Sequence, residues 1–345
     1  MRIFYRLLFS LIVAISYSYA GSDILISAKD AVKLIGKPNV VFVTGDSESV
    51  FKTGHIKGSV DMYAHHLHHS DKTGHLACSP LFMCPKEAEK YIGSKGIGNN
   101  TLVIAYDNFR GPNATGVYAF FRSFGHEKIK ILNGGRAAIM KIDPQQKIYD
   151  AIKSKLQQAR KNKASKQEID SLQAKLKAQE KKRLVVMGEG EKVVPKKYVI
   201  DPKKIDYDFI AGKDEILKAV KDILKNGKKS QYVIIDARAF NEIMGDRKMD
   251  NVARGGHIPG SKFIEWKKIT DFKDELSFED KAKMQALFDK YGVTKDKKVY
   301  AYCHVGAGRS SHIITALKIL GYKDAKVYTG SWDEWGNDMN LPIRR

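Results

Sequence analysis

The sequence predicts an α/β protein built from two copies of one domain, each a mainly parallel sheet with helices on both faces. The first observation is a duplication. Val103-Ile104-Ala105-Tyr106-Asp107 matches Val299-Tyr300-Ala301-Tyr302-Cys303, Gly125-His126 matches Gly321-Tyr322, and Asn133-Gly134-Gly135 falls against Thr329-Gly330-Ser331. All three share an offset of 196, the distance from Asp107 to Cys303. Upstream, Gly54-His55-Ile56-Lys57-Gly58-Ser59 matches Gly256-His257-Ile258-Pro259-Gly260-Ser261. Chance does not hold three motifs in one register. The second observation is local. Short β-branched runs such as Tyr232-Val233-Ile234-Ile235 and Lys298-Val299-Tyr300-Ala301-Tyr302 read as buried strands of a parallel sheet. Ile313, Leu317 and Leu320 then follow helical spacing, and Gly321 stops that helix. Strand, helix, strand in succession implies right-handed crossovers.

The first element is not part of the fold. Arg2 and Arg6 form a basic start, Leu7, Leu8, Phe9, Leu11, Ile12, Val13 and Ile15 a short apolar run, and Ser18 and Ala20 the small residues that a signal peptidase reads. The run is shorter than the ~20 apolar residues that span a bilayer. Residues 1–20 are therefore read as a cleaved signal peptide, with an uncleaved anchor as the alternative. Either way the body is expected to be exported, to the periplasm. The 345 residues carry 60 Lys+Arg against 39 Asp+Glu, a net charge of +21. Such a balance suits small anions, an anionic surface or nucleic acid. Export argues against nucleic acid, so no nucleic-acid partner is expected. With 43% hydrophobic residues the chain is not a disordered one, and three cysteines are too few for a disulfide scaffold.

The first copy is assigned to residues 21–142, the second to 197–345. Between them, residues 143–196 are rich in Lys, Gln and Ala. Ile148, Ile152 and Leu156 fall at i, i+4, i+8, and Ile169, Leu172 and Leu176 at i, i+3, i+7. Ser165 with Glu168 makes a capping box. This predicts a helical hairpin turning near Lys161–Ala164. It is either a solvated linker or an arm on which a partner docks.

In the second copy, chemistry concentrates at Cys303-His304-Val305-Gly306-Ala307-Gly308-Arg309-Ser310. The cysteine leaves an apolar strand, two glycines follow, and a helix begins. A loop of this kind turns backbone N–H groups around the sulfur, and the helix N-terminus adds partial positive charge. Both favour a thiolate. The same amides, with Arg309, suit an oxyanion. The glycines are expected to supply left-handed backbone and close ligand approach.

At these residues the chain resembles the rhodanese family of sulfurtransferases, in its tandem thiosulfate/3-mercaptopyruvate form. The resemblance rests on Gly256-His257-Ile258-Pro259-Gly260-Ser261, Asp236-Ala237-Arg238, Tyr302-Cys303 and Gly330-Ser331-Trp332-Asp333-Glu334-Trp335. It implies a catalytic second copy with Cys303 as nucleophile and an inactive first copy. Asp107 stands where Cys303 stands, and a carboxylate forms no persulfide, so a structural or interface role is expected for it. The implied reaction is double displacement. Cys303 takes the outer sulfur of thiosulfate, polysulfide or a related anion, sulfite leaves in the thiosulfate case, and a thiol or protein cysteine then receives the sulfur. The persulfide would sit among the amides of His304, Val305, Gly306, Ala307, Gly308 and Arg309. Arg238 and Arg247 are further substrate-binding candidates, although Asp236 competes for Arg238. No metal and no organic cofactor is implied.

Two departures stand out. Cys303 to Arg309 spells Cys-x5-Arg, the longer spacing of the phosphatase and arsenate-reducing relatives, which makes that chemistry an alternative. Asp333 is then the general-acid candidate. Glu242 occupies the position of a substrate-binding arginine in mammalian-type thiosulfate enzymes, with Arg247 and Arg254 as compensating charges. A second alternative is a sulfane-sulfur carrier that delivers to a partner reductase. Cys78 and Cys84 are expected to form a local disulfide in an oxidising compartment, with two free thiols as the alternative. His65, His66, His68, His69 and His75 crowd one stretch, but no cysteine or carboxylate motif completes a metal site, and a hydrogen-bonded surface loop is expected. Trp332 and Trp335 are expected in the core and the pocket wall.

Overall fold

A computed structural model describes residues 24–345; the signal-peptide reading of residues 1–20 lies outside the described residues. The first copy holds strands β1 (Leu25–Ile26), β2 (Val40–Thr44), β3 (His55–Ile56), β4 (Val60–Asp61), β5 (Leu102–Tyr106) and β6 (Ile129–Leu132). Its helices are α1 (Ala28–Val32), α2 (Glu48–Thr53), α3 (Pro85–Ser94), α4 (Pro112–Ser123) and α5 (Gly135–Ile142). The intervening segment holds α6 (Pro144–Lys161), α7 (Lys166–Glu180) and β7 (Val185–Val186). The second copy holds β8 (Ile210–Ala211), β9 (Tyr232–Asp236), β10 (Lys262–Phe263), β11 (Lys298–Tyr302) and β12 (Ala325–Tyr328). Its helices are α8 (Lys213–Asn226), α9 (Phe240–Ile243), α10 (Lys281–Lys290), α11 (Arg309–Ile319) and α12 (Ser331–Asn337).

The two main sheets repeat one topology. The first runs β1-β6-β5-β2-β4, the second β8-β12-β11-β9-β10, and every pairing within them is parallel. The central strands β5 and β11 are apolar and buried along almost their whole length, as strands covered on both faces must be. Register places Tyr106 beside Thr44 and Tyr302 beside Asp236. Asp107 and Cys303 therefore emerge at corresponding carboxyl ends of the central strands, where open parallel sheets bind ligands.

The copies share one apolar core. Phe120, Phe121 and Val117 of α4 belong to the same buried cluster as Ile313, Ile314 and Leu317 of α11. Residues Ser310–Leu317 of α11 are all buried, so the helix is wrapped on every side rather than amphipathic. Each large apolar side chain removed from water here stabilises by on the order of 2 kcal/mol. Close approach requires Gly116 on α4. A Cβ there would lie 2.8 Å from the Ala64 Cβ and 3.0 Å from the Ala307 carbonyl oxygen.

The hairpin belongs structurally to the first copy. Asp143 caps α6 through the Gln145 amide (2.9 Å) and accepts from the Leu184 amide (2.8 Å), which ties the two ends of the insertion together. Gln179 Nε2 donates to the side chain and backbone of Gln145 (2.8 and 3.1 Å), and the Arg183 guanidinium lies 3.8 Å from the Tyr149 ring centroid. β7 then pairs antiparallel with β3. The buried stripe of α6 runs through Tyr149 and Leu156, whereas Ile148 is 46% exposed. The aromatic ring, clamped by Arg183, displaces the aliphatic one from the seam. Among the described residues, no helix is long and apolar enough to cross a membrane.

One buried titratable group in the shared core sets an acid limit. His312 on α11 stacks on Phe278, bonds Thr270 Oγ1 (3.0 Å), and is pushed down to about 3 by burial. Unfolded histidine takes a proton below about 6.5, and the folded one does so only near 3. The stability contribution is therefore complete above 6.5 and is lost as pH falls toward 3. The urea midpoint is expected to drop between about pH 7 and about pH 5 by the equivalent of about 2 kcal/mol for this group. His312→Gln should flatten that slope. An unchanged slope in the variant would rule the assignment out.

Candidate active site

Cys303 leaves β11 only 2% exposed. Its amide donates to Ser331 Oγ (3.1 Å), its carbonyl accepts from the Trp332 amide (3.1 Å), and the His304 carbonyl accepts from the Asp333 amide (2.9 Å). The start of α12 thus clamps the start of the cysteine loop. Ser331 sits at φ +51°, as its counterpart Gly135 does at +53°. Its hydroxyl holds the strained backbone by donating to the Tyr328 carbonyl (2.8 Å). On the other side, Ser310 Oγ lies 3.3 Å from Sγ and 2.8 Å from the Gly306 carbonyl. One hydroxyl proton divides between the sulfur and the loop.

The loop needs glycine at one place. Gly306 has φ +76°, and a Cβ would lie 2.5 Å from the Thr329 carbonyl oxygen. Gly308 is extended and meets only His65 Nε2, at 4.0 Å, so the expectation of left-handed backbone does not hold there. Nor do all the loop amides surround the sulfur. The Ala307 amide donates to the Val305 carbonyl (2.8 Å) and the Gly308 amide to the Gly306 carbonyl (2.9 Å), closing tight turns within the loop.

The arginines divide differently from the sequence expectation. Arg309 makes a bidentate pair with Glu242, Nη1 to Oε2 at 2.6 Å and Nη2 to Oε1 at 3.0 Å. Burial alone would raise the Glu242 carboxyl, but the hydrogen bonds and charge of Arg309 outweigh it and hold it below its ordinary value. Burial pulls the Arg309 guanidinium down, and the hydrogen bonds and charge of Glu242 more than restore it. Glu242 therefore does not stand as a bare repelling charge; it neutralises Arg309.

Arg238, a substrate-binding candidate, is committed elsewhere. It donates to both oxygens of Asp236 (2.7–3.2 Å) and to the Gly256 carbonyl (2.7 Å), and its guanidinium lies 4.5 Å from the Trp332 ring centroid. It is buried and absent from the cavity wall. Arg254 is likewise no compensating charge, because it donates to the Trp335, Gly336 and Leu341 carbonyls and anchors the C-terminus. Asp333 is held by His68 (3.2 Å), Ser70 (2.8 Å) and Asn251 (2.6 Å), so it braces the two copies and is not an acid beside the sulfur. Trp332 and Trp335 are both core, and the tryptophan in the cavity wall is Trp266.

The cavity holds about 370 Å³. From the second copy it is lined by Cys303, His304, Val305, Ala307, Gly308, Arg309, Glu242, Arg247, Met249 and Trp266, and from the first by His65, Asp107, Asn108, Arg110, Pro112 and Asn113. Gly306 turns away against Thr329. Burial pushes His304 down to about 4, and burial followed by the Arg309 charge lowers His65, so both imidazoles are neutral at physiological pH. The histidine tract does not act as one cluster. His65 enters the cavity wall, His68 is buried on Asp333, and His69 and His75 face Glu87 and Glu334. Among the described residues no histidine, cysteine and carboxylate group could hold a metal. Cys78 and Cys84 are joined, with Cα atoms 5.2 Å apart, which leaves Cys303 as the free cysteine of the described residues. Asn108, Arg110, Met249 and Trp266 had no sequence signal of their own, and the signal of His65, its place in the histidine stretch, pointed to a surface loop. His65, Asn108 and Arg110 reach the cavity because the copies pack face to face, and Met249 and Trp266 because the second copy folds them over its own cysteine loop.

Comparison with known proteins agrees with this geometry. The rhodanese-like domain model matches residues 27–141 and 218–338. A protein of Mycolicibacterium smegmatis named "Putative thiosulfate sulfurtransferase" is 27% identical over 335 residues, 94% of this chain and 98% of the relative. The "Sulfur carrier protein TtuD" of Thermus thermophilus is 26% identical over 340 residues, 95% of this chain and 98% of the relative. Among solved structures, the anaerobic ergothioneine biosynthesis enzyme of Chlorobium limicola, in complex with trimethyl histidine, superposes with TM-score 0.65 at 19% identity, covering 93% of this chain and 70% of that one. That likeness speaks for the fold. With two matched domains, two parallel sheets of one topology and a cysteine at the end of the second central strand, the chain belongs to the rhodanese-like family, in its tandem-domain form.

Proposed function

We propose that this chain is an exported sulfurtransferase that moves sulfane sulfur from thiosulfate, or a related anion such as polysulfide, to a thiophilic acceptor through a persulfide on Cys303. The observation that carries it is the free Cys303, set at a strand end in the wall of an inter-copy cavity with Ser310 Oγ against its sulfur. The Cys303 thiolate attacks the outer sulfur of the donor. The donor S–S bond breaks and sulfite leaves with the electron pair. Arg247 and Arg110 supply positive charge for the donor, while Arg309 is neutralised by Glu242. An acceptor thiol, free or on a protein, then takes the outer sulfur and restores Cys303. Periplasmic location is supported by the pattern of residues 2–20 and by the Cys78–Cys84 bridge.

A carrier role that delivers to a partner is the second reading, and a relative named as a sulfur carrier, aligned over 98% of its length, favours it. Phosphatase chemistry has less support. The Ala307 and Gly308 amides are spent on loop carbonyls, and Arg309 is spent on Glu242, so the ring that would hold a tetrahedral anion is not assembled.

Intact mass after thiosulfate should show the protein heavier by one sulfur atom, and Cys303→Ser should show no such gain. Sulfur loading that survives in the variant would refute the assignment. Turnover of thiosulfate separates enzyme from carrier, because a carrier loads sulfur without fast cycling. On the same preparation, hydrolysis of an aryl phosphate is expected to be slower than sulfur transfer, and the reverse order would favour the phosphatase reading. Glu242→Gln, which releases Arg309 toward the cavity, is expected to lower KM for thiosulfate several-fold with kcat little changed. An unchanged KM would mean that Arg309 never reaches the donor. N-terminal sequencing of protein from the periplasmic fraction should begin at Gly21. A cytoplasmic, uncleaved chain would overturn the export proposal.

A further inference from the structure

The first copy contributes a group that the reaction above leaves unused. Asp107 follows β5 where Cys303 follows β11, and it lines the same cavity. A second replacement accompanies it. Gly45 and Ala237 make equivalent bonds, each amide donating to the tyrosine carbonyl at the end of the neighbouring central strand (2.9 and 3.0 Å). The next residue is Arg238 in the second copy and Asp46 in the first. Where one copy has cysteine and arginine, the other has two aspartates.

The two carboxyls leave adjacent strand ends, because β2 and β5 are paired with Thr44 beside Tyr106. Both are buried, 5% and 2% exposed. One oxygen of each is satisfied: Asp46 Oδ1 accepts from Asn113 Nδ2 (2.9 Å), and Asp107 Oδ2 accepts from the amides of Gly111 (2.9 Å) and Ala114 (3.3 Å). The other oxygen of each, Asp46 Oδ2 and Asp107 Oδ1, has no hydrogen-bond partner among the described residues. Two buried carboxylates so placed cannot both ionise cheaply, so the pair retains a proton that a single exposed aspartate would lose.

We propose that Asp107, backed by Asp46, is the proton acceptor for the second half-reaction, and that the acceptor it serves is a neutral alkyl thiol. This rests on the Cys303 persulfide reading. The thiol proton passes to the Asp107 carboxylate, whose unpartnered oxygen is buried at the cavity wall. The electron pair of the S–H bond forms the new bond to the outer sulfur of the Cys303 persulfide. The Sγ–S bond breaks, its pair stays on Sγ as the thiolate, and the outer sulfur leaves with its charge on the product. Asp107 then returns the proton to solvent or product. Burial first, and then the Asp46 charge, push Asp107 up to about 7, while burial raises Asp46 despite Asn113, Arg136 and Arg110. The other charged and titratable groups of the cavity wall are Arg247, Arg309, Glu242, His304 and His65. A carboxyl half-ionised near neutrality is matched to a thiol that is still protonated there, whereas an ordinary aspartate would be too weak a base.

The experiment loads the protein with sulfur from thiosulfate, removes the donor, and mixes it with 2-mercaptoethanol, protonated at neutral pH, or with thionitrobenzoate, already a thiolate. Asp107→Asn keeps the side chain's shape and is expected to lower the ratio of alkyl-thiol to aryl-thiolate rates at least tenfold, within the usual range for general-base catalysis of about 10²–10⁴. The wild-type alkyl-thiol rate should rise with pH through the Asp107 titration near 7. That limb should vanish in Asp107→Asn and move to lower pH in Asp46→Asn, which removes the like charge. Equal losses with both acceptors, an unchanged ratio, or a limb that does not move in Asp46→Asn would overturn the proposal. Failure of the sulfur reading is separately visible, as no mass gain on loading. Infrared titration then still decides on the acid pair. A protonated-carboxyl band lost near neutral pH and missing from Asp107→Asn supports it, and absence of that band in the wild type overturns it.

Discussion

The structure depends on the packing of α4 against α11 in one apolar core common to both copies. Each of these helices follows the turn at the end of its own central strand, so pressing them together brings both turns to one cavity. The constraint is steric as much as hydrophobic. Gly116 admits the Ala307 carbonyl, and Gly111 admits the His312 ring, where a Cβ would stand 2.3 Å from a ring carbon. A single rhodanese-like unit would leave the cysteine loop open to solvent. The duplicated one closes it with the corresponding turn of the first copy, where Asp107 stands in place of the cysteine.

The two copies therefore bring different residues to one cavity. The second copy kept strand, cysteine and Gly-rich turn. The first kept the same backbone, including the left-handed residue that Gly135 and Ser331 share, and replaced cysteine and arginine by two aspartates. Its loop from Ser70 to Cys84 also reaches the second copy. His68 and Ser70 hold Asp333, whose amide in turn fixes the His304 carbonyl. Packing thus connects the His68–Ser70 stretch of one copy to the backbone that follows Cys303 in the other.

Electrostatics in the cavity follows from pairing rather than from net charge. The chain carries +21, yet the most prominent basic residue of the loop, Arg309, is neutralised by Glu242, and Arg238 by Asp236. The guanidinium groups left facing the cavity are Arg110 and Arg247, one from each copy. A basic composition indicates an anion-tolerant surface, whereas only the pairing decides which guanidinium is available to an anion.

The sequence by itself determined the fold class, the duplication and the cysteine loop, because these are written in short-range periodicity and in motifs kept at one offset. The hairpin was legible for the same reason, although Tyr149 rather than Ile148 fills its seam, since only a folded neighbour such as Arg183 can favour the ring. Arg254, Asp333 and Gly308 carry expectations from residue type and spacing that their surroundings do not meet, whereas the pairing of Arg238 with Asp236 is present. A guanidinium or carboxylate acts through whatever lies within about 3 Å of it, and sequence spacing does not carry that information across 67 residues, the separation of Glu242 and Arg309. The tertiary structure alone decided which residues of the first copy wall the cavity, which arginine is neutralised, and that two aspartates of the first copy leave adjacent strand ends, because the first follows from two helices packing across the duplication and the other two from contacts between residues far apart within one copy.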